Sequence, residues 1–178
     1  MERIAKLDAA SRQLNAAISL LFDGADPIVV HTLTVAASNI FSDVIDKRSG
    51  TQSWREKMRI DHGVSKAAIK NIMQSAWNFF KHGDRDPEGI LEFDKSESEY
   101  LVFFATLECG ELQSTSIQMQ TFQFWFLASG AFDLCAENEI QKKAELIFPG
   151  LSTLPRSQKL SIGAEMLAKQ LEGFRAET

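Results

Sequence analysis

Residues 6–46 read KLDAASRQLNAAISLLFDGADPIVVHTLTVAASNIFSDVID, and this stretch decides the fold class. Leu7, Leu14, Ile18 and Leu21 recur on one helical face, with Arg3, Lys6, Arg12 and Gln13 off it. Gly24 stands where a glycine ends a helix. Asp26-Pro27 then supplies an N-cap acid followed by proline at the first helical position. Val30, Leu33, Ala37, Ile40, Phe41 and Val44 predict the buried stripe of the second helix. So short a connection folds the two helices back on each other, so an antiparallel hairpin of 5–22 and 28–46 is expected.

The same signals continue outward. Arg48-Ser49-Gly50 breaks the pattern, and Ser53 with Glu56 has capping-box spacing before a short helix over 54–60. Ser65 caps a longer helix with Ile69, Ile72, Met73, Ala76 and Phe80 on its apolar face, ending near Gly83. Asp86-Pro87-Glu88-Gly89 fits a type I turn. Ser96 and Glu99 form a second capping box before 100–112. Residues 115–137 hold Phe122, Phe124, Trp125, Phe126 and Phe132, apolar nearly all round, as a central helix is. A shorter helix over 139–148 stops at Pro149-Gly150, and Ser157 caps the last, with Leu160, Leu167, Leu171 and Phe174 as its stripe. The expectation is an all-α, single-domain bundle of six or seven helices over 1–178.

Composition fits that reading. At 178 residues, 44% hydrophobic and 24% charged, the chain can bury a core without disulfide or metal, and disorder and collagen-like classes are excluded. The net charge of −5 argues against tight nonspecific nucleic-acid binding. The charge is uneven, however: 47–70 carries Lys47, Arg48, Arg55, Lys57, Arg59, Lys66 and Lys70 against Glu56 and Asp61, a patch able to meet phosphates. Cys109 and Cys135 have no local motif and fit a reducing compartment. Met1–Asp23 is amphipathic rather than signal-like, and the apolar window 122–136 is too short to span a bilayer. A cytoplasmic protein without membrane contact is expected.

The string Asn78-Phe79-Phe80-Lys81-His82-Gly83-Asp84-Arg85-Asp86 is the main candidate for chemistry. Lys81, His82 and Arg85 could hold a phosphate or carboxylate, Asn78 could add a directed hydrogen bond, and Asp84 or Asp86 could orient His82. His31, one residue off its apolar stripe, is expected where this string meets the second helix. The bland alternative is a helix C-terminus whose cations complement the dipole. No histidine has Glu three residues before it, and no His-x3-His or Cys-x2-Cys is present, so no metal is expected. Without a glycine-rich phosphate loop or a nucleophile elbow, no cofactor is expected either.

Two resemblances add to this. Arg55 and His62, separated by six residues, resemble the Arg-x4–6-His motif of the HEPN superfamily of small helical proteins. That resemblance implies a metal-independent ribonuclease whose Arg and His meet the scissile phosphate at a dimer interface, with Arg85 and His82 as the other possible pair. Lys6–Ala10, His31-Thr32-Leu33 and Asn78–Pro87 resemble a bacterial family with no assigned activity, which favours reading 78–87 as one unit. The leading expectation is a helical protein binding an anionic small molecule or an RNA phosphate through His31, Asn78, Lys81, His82, Asp84, Arg85 and Asp86. The alternatives are the HEPN-like nuclease and a non-catalytic interaction subunit. A homodimer through the aromatic helix is also expected.

Overall fold

Asp26 accepts a hydrogen bond from the backbone N–H of Ile28 (2.8 Å), directly ahead of Pro27, so the second helix starts where its sequence signals place it. In the computed structural model α1 spans Lys6–Phe22 and α2 spans Pro27–Lys47. Gly24, at φ 72°, turns the chain between them. The two helices pack on each other more extensively than any other pair. Their ends differ from the expected 5–22 and 28–46 by a single residue at three of four positions. The structure describes residues 1–48, 50–84, 86–131 and 138–177, with the side chains of 66, 68–73 and 177 outside the description.

Among the described residues the fold is all-α, with no strand. After the hairpin come α3 (Trp54–Asp61), α4 (Lys66–Lys81), α5 (Glu97–Leu112), α6 (Ile117–Ala128) and α7 (Glu139–Ile147), then a 3-10 turn at Leu151–Thr153 and α8 (Arg156–Glu177). Among the described residues that makes eight α-helices against the expected six or seven, and both short segments, α3 and α7, are helical as their caps imply. Each has a working N-cap: Ser53 accepts from Glu56 N (3.1 Å), and Asn138 accepts from Ile140 N (2.9 Å). The aromatic helix is shorter than expected. It begins at the Ser116 cap, and Gly130, at φ 77°, ends it after Ala128. Phe132 and Cys135 lie outside the described residues.

The second capping box does not form. Ser96 makes no side-chain cap, and Glu99 is buried against α8, where its carboxylate meets Arg156 at 2.8 Å. Ser96 itself has helical backbone angles (φ −69°, ψ −25°), which do not aim its hydroxyl at the first free N–H groups of α5. The Asp94 carboxylate does the local work, accepting from Ser96 N (2.9 Å), and that bond holds its pKa below the usual carboxylate range.

Phe122, Trp125 and Phe126 are fully buried within one chain, in contact with Phe22, Phe103 and each other. They sit in the core and present no surface to a second copy. The Trp125 indole N–H donates to the carbonyl of Lys159 (2.7 Å), and Lys159 Nζ donates to the carbonyl of Ser129 (2.7 Å). These two bonds fix the start of α8 against the end of α6.

Helix α8 crosses the core at Gly163, where an added Cβ would land on the ring of Phe22, 2.6 Å from Cδ1. Gly173, ten residues on, has open space around it. Alanine is the better helix former by about 1 kcal/mol. Gly173→Ala should therefore raise stability by about 0.5–1 kcal/mol, whereas Gly163→Ala should lower it by roughly 1–3 kcal/mol through overpacking. Urea unfolding of the two variants checks this; equal effects would mean that α8 is not held against Phe22.

Candidate functional site

Helix α2 carries a polar row as well as its apolar stripe. His31, Thr34, Ser38 and Ser42 are all buried, at helical spacings that place them on one side. Thr34 donates back to the carbonyl of Val30 (2.8 Å), and Ser38 and Ser42 donate to the carboxylate of Glu108 at 3.1 and 2.6 Å. Glu108 is 3% exposed. Burial pushes its pKa up, and the two serine bonds and the charge of Arg55 pull it part of the way back. Asn39 accepts from Gln74 Nε2 (2.6 Å) and from Arg55 Nη2 (3.0 Å). Gln74 is thus buried. Only the Ser38–Ser42 spacing inside an apolar helix signals this network in the sequence; its partner on α5 has no local signature.

His31 differs from its neighbours on the row. It is 2% exposed, and neither ring nitrogen has a hydrogen-bond partner among the described residues. Phe80 and Phe93 meet its ring edge-on, with centroids 5.8 and 5.1 Å away. Desolvation lowers its pKa to about 4, so at neutral pH the imidazole is uncharged. It forms part of the wall of a cavity of about 340 Å³ between α2, α3, α4 and α5, with Met58, Ser75, Ala76, Glu97, Tyr100, Leu101 and Phe104. The Tyr100 hydroxyl is already committed, donating to the carbonyl of Ala131 (2.6 Å).

The described residues of the polar string do not line this cavity. Of the expected site residues that are described, only His31 lines it; Asn78, Lys81, His82, Asp84 and Asp86 are not among its walls. Phe80 is the link, since it packs against His31. Lys81 is exposed, with its ammonium 4.2 Å from the centre of the Trp77 ring. His82 Nδ1 is 3.9 Å from Asp84, whose side chain is largely in water. Asp86 closes the expected turn, its carbonyl accepting from Gly89 N (3.1 Å). Arg85 lies outside the described residues.

Nor are Arg55 and His62 brought together. Seven positions apart on a helix that rises ~1.5 Å per residue, they stand about 10 Å apart along α3. Arg55 reaches inward to Asn39, whereas His62 is the exposed C-cap. Arg59 is also occupied, paired with Glu56 at 2.7 Å, so the basic patch over 47–70 offers less free charge than its sequence implies. Among the described residues no three His, Cys, Asp or Glu side chains gather as metal ligands. Helix α2 is long and apolar enough to cross a membrane by length and composition, and half of its most apolar window is buried in the bundle. Comparison with protein-family models and with solved structures returns no match.

The histidine makes a sharp prediction. An unfolded His titrates near 6.5, and His31 in the fold titrates near 4. Between these values the unfolded chain binds the extra proton, so the stability that neutral His31 contributes is complete above about pH 6.5 and lost as pH falls towards 4. Glu108, with its raised pKa, works in the opposite sense, and Glu97 and Tyr100 share the cavity wall. The comparison of wild type with His31→Phe cancels these common contributions. The variant also loses two unpartnered buried nitrogens, so it should be more stable by about 1–2 kcal/mol at pH 7, and by more at pH 5. Urea unfolding at both values measures it; a smaller gain at pH 5 than at pH 7 would contradict a buried, neutral His31.

Proposed function

We propose that this chain is a cytoplasmic, non-enzymatic binding protein whose small-molecule ligand lies in the cavity beside His31. One observation carries the reading: a buried histidine with no partner for either nitrogen stands in the wall of a cavity of about 340 Å³. Buried polar groups in folded proteins nearly always have partners, and the exceptions mark places where something else binds. Ligand sites are typically roughly 300–1,000 Å³, largely apolar, with a few converging polar groups. This cavity matches that description.

The chemistry of the wall narrows the ligand. A neutral imidazole offers one donor and one acceptor. Ser75 adds a hydroxyl, and among the described residues Glu97 is the one charged residue in the wall and no cation lines it. A small, mostly apolar molecule with a neutral donor–acceptor group, such as a hydroxyl or amide, suits this wall better than an anion does. Lys81 and His82 instead sit at the C-terminus of α4, where positive charge complements the helix dipole. That arrangement weakens the anionic and RNA readings of residues 78–86. The compartment is argued from Cys109, a buried free thiol whose pKa burial raises, which suits a reducing environment.

Thermal denaturation with millimolar phenol and benzamide tests the proposal. Both compounds should raise the Tm of the wild type by mass action. His31→Phe should remove the shift while leaving the fold intact, and Ser75→Trp should remove it by filling the space. Equal shifts in all three proteins, or none in the wild type, would dismiss the cavity as a binding site.

A further inference from the structure

Helices α3, α5, α6 and α7 enclose a second and larger chamber, of about 610 Å³. Phe104 belongs to the walls of both this chamber and the His31 cavity. Here Trp54 stacks on Phe104, with centroids 4.7 Å apart and planes at 13°. Phe124 forms another wall, and Leu107 and Ile140 are left 38% and 55% exposed beside it. So much apolar surface around one concavity marks a binding surface.

The polar groups of the wall are unequal. Glu139 is paired with Lys142 (3.0 Å), and Gln123 donates to Thr106 (3.1 Å). Lys143 makes no ion pair among the described residues; its ammonium lies 5.4 Å from the centre of the Phe124 ring. The Trp54 indole N–H is buried without an acceptor. What remains for a ligand is therefore an aromatic and aliphatic interior with a free cation at its edge. The Trp54 N–H and the Lys143 ammonium are both donors.

We infer that this chamber is a second site, for a hydrophobic carboxylate, with the apolar body against Trp54, Phe104 and Phe124 and the carboxylate at Lys143. The inference does not depend on the His31 reading, because the two sites share only Phe104.

Isothermal titration calorimetry of the full chain with dodecanoate and with dodecanol is the test. Dodecanoate should bind saturably, one molecule per chain. Lys143→Met should weaken dodecanoate by about tenfold, as loss of a charged hydrogen bond does, and leave dodecanol unchanged; Lys143→Arg should restore the acid. Leu107→Trp should weaken both compounds, and His31→Phe neither. The inference is overturned if dodecanoate does not bind saturably or if Lys143→Met binds it as tightly as wild type. It is overturned equally if binding is lost in His31→Phe, or if several molecules bind with unfolding.

Discussion

A helix packed inside a bundle has to find partners for nearly all the polar groups it carries inward, and α2 carries several, with His31 the exception among the described residues. Its apolar side is pressed on α1, while α3, α4 and α5 pack around the remainder. Ser38 and Ser42 are matched by Glu108 on α5, Asn39 by Arg55 on α3 and by Gln74 on α4. Asp46 then accepts from Ser53 N (2.9 Å), at the N-cap of α3. Each of the three neighbouring helices is thus keyed to α2 by at least one directional bond. Apolar packing alone tolerates sliding of one helix over another, but a buried carboxylate between two hydroxyls does not, since an unpaired buried charge costs several kcal/mol. The arrangement of α2, α3, α4 and α5 follows from that constraint.

The two halves of the molecule are built differently. Around α6, Phe22, Phe103, Phe122, Trp125 and Phe126 interlock, and Trp125 and Lys159 tie α8 to the end of α6. Around α3 the packing is thin: no residue of that helix is fully buried, and it is held by a cap, a few polar contacts and the stacking of Trp54 on Phe104. Both cavities lie on this second side, with Met58 of α3 lining one and Trp54 lining the other. Segments with few buried apolar contacts open locally at low free-energy cost.

Local signals were legible in proportion to how local their cause was. The Asp26 and Ser53 caps, the 86–89 turn and the stripe of α1 depend on residues within a few positions, and these form as their spacing implies. Ser96-x-x-Glu99 has the same spacing as Ser53-x-x-Glu56, yet only the second caps its helix: Ser53 has the extended backbone an N-cap needs (ψ 157°), whereas Ser96 is helical (ψ −25°). Residues 78–86 stood out as a dense polar run. In the fold that run is the end of α4 and a turn, and its contribution to the candidate site is the apolar Phe80.

By itself the sequence determined the helical class, the position of the first turn and most helix starts, since backbone capping and hydrophobic period act over a few residues. It also singled out His31, though as a neighbour of the charged string. Only the tertiary structure decided that His31 is shut off from water, neutral and without a partner, and that Glu108, Ser38 and Ser42 share one buried contact. It likewise decided that two cavities flank Phe104. Burial and desolvation are set by which distant surfaces meet, and no spacing within a single helix encodes that.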